Sequence, residues 1–184
     1  MTTYSTGYPH AGRARAPQVD ATAGSASSST HTPSEYQGIL AVVAPVTARL
    51  VRAGDAWRLP LAGLAVAQCR IDYAVTFSFD SPDGIYDLRI EEDFAFVSAE
   101  GNEVVLRPET DPTGLGPVLA CTRTSVVEAL AFDDGRLTAS FADGSRLVVD
   151  GSQEYEPWML SGPARLLVVS TPGAALALWY EEAT

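Results

Sequence analysis

The sequence predicts a mostly β protein: two similar antiparallel meander-plus-hairpin halves, packed as a sandwich or a barrel-like sheet, with one short helix. Three observations carry that expectation. Apolar residues recur at every second position over short runs, as in Val75, Phe77 and Phe79 with Thr76 and Ser78 between them, which is the period of a half-buried strand. The runs end in turn chemistry, among it Asp133-Asp134-Gly135 and Asp143-Gly144, where glycine takes left-handed backbone positions without steric cost. Finally, residues 61–91 align with residues 120–150, setting Val66 on Val127, Val75 on Leu137, Phe79 on Phe141 and Ile90 on Val149.

Residues 1–37 are poor in aliphatic side chains and rich in Ser, Thr, Ala, Gly and Pro. They cannot bury enough apolar surface to offset the entropy of ordering, so a disordered N-terminal tail is expected there. A single β domain is expected over 38–184, with an internal duplication of about 61–106 and 119–170. After residues 80–84 the alternation resumes in Tyr86, Leu88 and Ile90, closing a first hairpin. A second joins 94–97 to 104–106 around Glu100-Gly101-Asn102. The polar loop 107–116 leads into a helix of about two turns, Leu115 to Cys121. A three-strand meander follows over 127–132, 137–141 and 147–149, then a hairpin of 158–160 and 166–169. The turn Thr171-Pro172-Gly173-Ala174 precedes a last strand, 176–179.

The net charge of −11 is informative because residues 1–36 hold only Arg13, Arg15, Asp20 and Glu35 and are neutral. The folded part therefore carries all of it. Such a surface repels nucleic acid and anionic lipid and draws in basic partners, although keeping a small domain in solution is reason enough for it. All 12 basic residues are arginine, and the two histidines, His10 and His31, both fall in the tail. Without histidine or lysine the folded part cannot assemble a Ser-His-Asp triad, a His-ligated zinc site, a Schiff base or a phosphate-gripping lysine. Glycine-rich phosphate loops are missing as well.

No catalytic residue, cofactor or metal is therefore expected. Carboxylate pairs remain, since two acids set about 5 to 9.5 Å apart hydrolyse glycosides. The acids here, however, fall mainly at turns and at the outward positions of alternating strands. Cys69 and Cys121 sit among apolar neighbours and read as buried thiols rather than as a disulfide or a nucleophile. The longest apolar run, 38–48 with Pro45 inside it, falls short of the about 20 residues of a membrane span. No secretory leader pattern precedes it, so the protein is expected in the cytoplasm.

Candidate partner-binding residues come from three places. Glu91 and Glu92, with Asp93, form the densest acidic run. Glu109 and Asp111 lie in the longest polar loop, where function commonly sits. Tyr155, Glu156 and Trp158 belong to a Tyr-Glu-Pro-Trp segment in which two large aromatic rings with polar handles can anchor either a partner or the core.

From about Leu59 to Trp179 the residues resemble an actinobacterial family of uncharacterised small β-rich proteins. Its pattern has an L-x-G-x-x-V segment, matched by Leu61, Gly63 and Val66, and a D-x-x-L-x-L-x-F strand, matched over Asp72 to Phe79. It continues through Asp134-Gly135 to Leu147, Tyr155 to Trp158, and a terminal PGG-x-LA-x-W beginning at Pro172-Gly173. Ala174 stands where that family usually has a second glycine. The resemblance implies the β fold and brings no activity, cofactor or catalytic residue with it. Small acidic β proteins also look like the immunity partners of bacterial toxins.

The expected function is a non-enzymatic acidic interaction module for a basic protein partner, with an immunity-like role as one version and with neither nucleic acid nor membrane as partner. The alternatives are a carboxylate-based hydrolase or small-ligand-binding β domain, and a structural accessory domain. The oligomeric state stays open.

Overall fold

The computed structural model describes residues 49–181. The expected tail, 1–37, and the apolar run 38–48 lie outside the described residues. Among the described residues thirteen strands form: β1 (Val51–Ala53), β2 (Ala56–Arg58), β3 (Val66–Ile71), β4 (Val75–Ser81), β5 (Gly84–Ile90), β6 (Phe94–Val97) and β7 (Glu103–Leu106), then β8 (Val126–Phe132), β9 (Leu137–Phe141), β10 (Arg146–Val149), β11 (Trp158–Ser161), β12 (Leu167–Thr171) and β13 (Ala175–Trp179).

They build two antiparallel sheets. One has seven strands in the order β1-β2-β8-β9-β10-β6-β7, and the other six in the order β13-β12-β11-β5-β4-β3. The architecture is a sandwich with open edges, not a closed barrel.

The pairing follows a reciprocal plan. The meander β3-β4-β5 lies in the six-stranded sheet, but the hairpin after it crosses over and β6 pairs with β10, the last strand of the other meander. In return the hairpin after β8-β9-β10 crosses back, and β11 pairs with β5. The two meanders also meet where they begin. Val66 N donates to Thr124 O at 3.0 Å, and Val126 N donates to Leu64 O at 2.9 Å, on either side of an Ala65–Ser125 bridge. Each first strand then slips register one residue on, between Val66 and Gln68 and between Val126 and Glu128. Val66 faces Phe79 and Val126 faces Phe141, so by strand register Val66 corresponds in position to Val126, one residue from the Val127 of the alignment. The alignment misses this because the β8–β9 connection is longer than the β3–β4 one.

Alternation along each strand sends one set of side chains between the sheets. Phe77, Phe79, Tyr86, Leu88 and Trp158 come from one side and Phe94, Phe96, Leu137, Phe141 and Leu147 from the other, all almost wholly buried. The Phe77 and Phe141 rings meet at 6.5 Å between centroids. Ala129, Ala131 and Ala139 make room for the larger rings opposite, the interdigitation a dense core requires.

Two local expectations change. Thr76 and Ser78, the polar positions of β4, are only 1% and 8% exposed. Arg70 and Arg89 lie opposite Thr76, and Gln68 and Asp87 opposite Ser78, so longer side chains on the neighbouring strands cover them. The helix starts at Pro112 rather than Leu115 and is 3₁₀ throughout, Pro112–Cys121. Gly114, Gly116 and the internal Pro117 are poor α-formers, and Asp111 caps the turn by accepting a hydrogen bond from Gly114 N at 3.0 Å. Leu115, Val118 and Cys121 from it join the core. No helix among the described residues is long and apolar enough to cross a membrane.

Candidate functional site

Two chain corners meet at one end of the sandwich. The first is 91–93, where the chain leaves β5 and crosses to β6; the second is 150–157, where it leaves β10 and crosses back to β11. They are stitched together because Glu91 N and Glu92 N both donate to Pro157 O, at 2.9 and 3.4 Å. The second corner is held internally by Ser152, whose Oγ accepts from Glu154 N at 3.2 Å and Tyr155 N at 3.1 Å. Gly173 N and Ala174 N tie it to the β12–β13 turn through Gln153 O and Ser152 O. Gly151 sits so close to the Asp134 carbonyl that a Cβ would collide with it. The loop therefore has a defined shape despite its polar composition.

Between the corners lies an open depression of about 380 Å³ lined by Glu92, Asp93, Asp150, Glu154, Tyr155 and Pro157, among others. Tyr155 is 58% exposed, while Pro157 is buried. Four acidic residues and the exposed Tyr155 thus line one concave surface. Arg107 offsets one of the four, pairing with Asp93 at 3.2 Å. Glu91 points elsewhere: it takes Arg89 Nε at 2.7 Å, and Arg89 also reaches Asp72 at 3.2 Å.

The sequence-derived candidates divide accordingly. Glu92 and Tyr155 line the depression, and Glu91 borders it through its backbone. Glu156 is exposed on the same loop. Glu109 and Asp111 are exposed on the segment before the 3₁₀ helix and do not line the depression; Asp111 is occupied as the cap, also taking Thr113 Oγ1 at 2.9 Å. Trp158 is a correction. It is 1% exposed, and its indole Nε1 donates to Gly135 O at 2.7 Å, so it is a core residue and no partner can reach it. Asp150 and Glu154 emerge only in the structure, because nothing local in the sequence says that 150–154 will lie against 92–93.

Among the described residues, three carboxyls leave their ordinary range, and they move down. Arg89 holds Asp72 low, Arg52 holds Asp133 low, and the Ser98 hydroxyl does the same for Glu100. Burial pushes both thiols up, Cys121 to about 12. Among the described residues no group of three or more His, Cys, Asp or Glu side chains is placed to hold a metal ion.

No curated protein and no solved structure matches the chain. A family model does, over residues 57–180, which takes in β2 to β13 and both corners of the depression. The chain belongs to that family, the family of unknown function DUF6188.

Proposed function

We propose that the chain is a non-enzymatic, acidic protein-interaction module of the cytoplasm that holds a basic protein partner at the depression around Tyr155. The observation that carries this reading is that Glu92, Asp93, Asp150 and Glu154 line one open depression together with Tyr155, which is 58% exposed. A tyrosine contributes large contact area for little side-chain entropy, and surrounding carboxylates steer a cationic surface and fix its register. The overall charge of −11 adds long-range attraction for the same class of partner. The free thiols of Cys69 and Cys121 suit a reducing compartment. An immunity-like role is one version of this activity.

A carboxylate-based hydrolase has less support. Asp93, Asp150 and Glu154 are exposed around an open depression, where no cleft shields a carboxyl pair from water.

The test is recovery of partners from the native host with the tagged full chain and with Tyr155→Ala. A protein of high isoelectric point is expected to co-purify at about 0.1 M salt and to be released near about 1 M, where screening is nearly complete. The variant should recover much less of it. A salt-insensitive complex, or equal recovery on Tyr155→Ala, would overturn the reading.

A further inference from the structure

The four sheet edges differ in how they are protected. β1 is three residues long and its Arg52 is tied to Asp133. β7 opens on Glu103, and β3 carries Arg70 together with the irregularity between Val66 and Gln68. Shortness, charge and bulges are the devices that keep an exposed edge from pairing with another chain. β13 has none of them. Its five residues read Ala-Leu-Ala-Leu-Trp, with no charge and no proline, and they pair with β12 in unbroken register from Ala175 to Trp179. Among the described residues nothing pairs with its outer side.

This edge runs between two recesses. The turn that leads into it is bonded to the acidic loop, Gly173 N to Gln153 O at 3.1 Å and Ala174 N to Ser152 O at 2.8 Å. At its far end lies a groove of about 340 Å³ lined by Arg165, Leu178, Trp179, Tyr180 and Glu181. Trp179 and Tyr180 there are 54% and 44% exposed. A strand laid along β13 meets the turn bonded to the acidic loop at one end, main-chain groups that no described strand pairs in the middle, and Trp179 and Tyr180 at the other.

We propose that β13 is the docking edge, and that an extended segment of a basic protein adds to it as a further strand. Its arginine or lysine residues lie beside the Ser152–Tyr155 loop, and an apolar side chain occupies the Trp179–Tyr180 groove. Main-chain hydrogen bonds supply affinity and the two ends supply specificity, as in other cases of strand addition. The inference rests on the acidic-module reading and states how that module grips its partner. A second copy of the chain is a poorer occupant, because each copy carries −11.

The probe is the peptide Arg-Arg-Arg-Gly-Thr-Val-Thr-Val-Thr-Trp, titrated into isotope-labelled full chain at about 20 mM salt, where surface charges are weakly screened. Amide shifts are expected along residues 175–179 and 152–155 together. N-methylation of alternate peptide residues should weaken binding by about tenfold or more, since it removes ladder hydrogen bonds. Trp179→Ala should weaken it as well, leaving the spectrum of the free chain otherwise intact. Shifts confined to residues 150–157, or undiminished binding of the N-methylated peptide, would overturn the strand addition and leave the acidic module standing. If the parent peptide fails to bind at all, strand addition falls, and the acidic module stands or falls on partner recovery with Tyr155→Ala.

Discussion

Trp158 and Tyr155 stand three positions apart and have opposite fates. The indole fills the core and donates to the Gly135 carbonyl, whereas Tyr155 is exposed and lines the acidic depression. Trp158→Phe keeps most of the volume but leaves that carbonyl without its donor, and should cost about 1–3 kcal/mol. Tyr155→Ala should change stability by no more than about 0.5 kcal/mol while sharply reducing partner recovery. Urea unfolding of the two variants checks the contrast, and equal losses of stability would contradict it. Cys121 makes a different kind of prediction. Burial raises its thiol to about 12 in the folded chain, above its value in the unfolded one. Its contribution to stability is therefore complete below about pH 8.5, where an unfolded thiol begins to ionise, and is lost as pH rises towards 12. The melting temperature of the wild type should fall across that window, and Cys121→Ala should flatten the fall. The thiol should also resist modification in the native state.

The turn before β13 carries a strained position. Ala174 has φ +51°, in the left-handed region where a side chain crowds the backbone, and it stands where the resembled pattern has glycine. Ala174→Gly should stabilise the protein by about 0.5–1 kcal/mol, measured by thermal or chemical melting. A loss of stability would show that the methyl, which lies close to Gly151, is needed for packing there. The 3₁₀ helix offers the reverse case. Asp111→Ala removes the cap on Gly114 and should cost about 1 kcal/mol without altering partner recovery, because Asp111 lies outside the depression. Strands such as β4, β9 and β13 are readable in the chain because alternation and turn residues act over a few positions. The β1–β2 hairpin is not legible in the chain, since three-residue strands are too short to show a period.

Reciprocal exchange of hairpins makes each half depend on the other. We propose that the two halves repeat one unit, and that neither can cover its own apolar face. A chain cut in the exposed segment near Glu109 should give two fragments that are each unfolded, since β5 then lacks β11 and β10 lacks β6. Mixed in equal amounts they should recover the strand signal in circular dichroism. A fragment that folds alone would count against the proposal.

Strand positions, turn positions, the absence of imidazole and amine groups beyond the first 36 residues, and the concentration of negative charge there all follow from the order of residues, because each depends on composition or on neighbours a few places away. Which sheet a hairpin joins, that Trp158 goes inside while Tyr155 stays out, and that Asp150 and Glu154 meet Glu92 and Asp93 are settled by contacts between segments roughly sixty residues apart. Alternation says that a strand has an inner and an outer face. It does not say which other strand will lie beside it, and that choice is made by how the whole core fills.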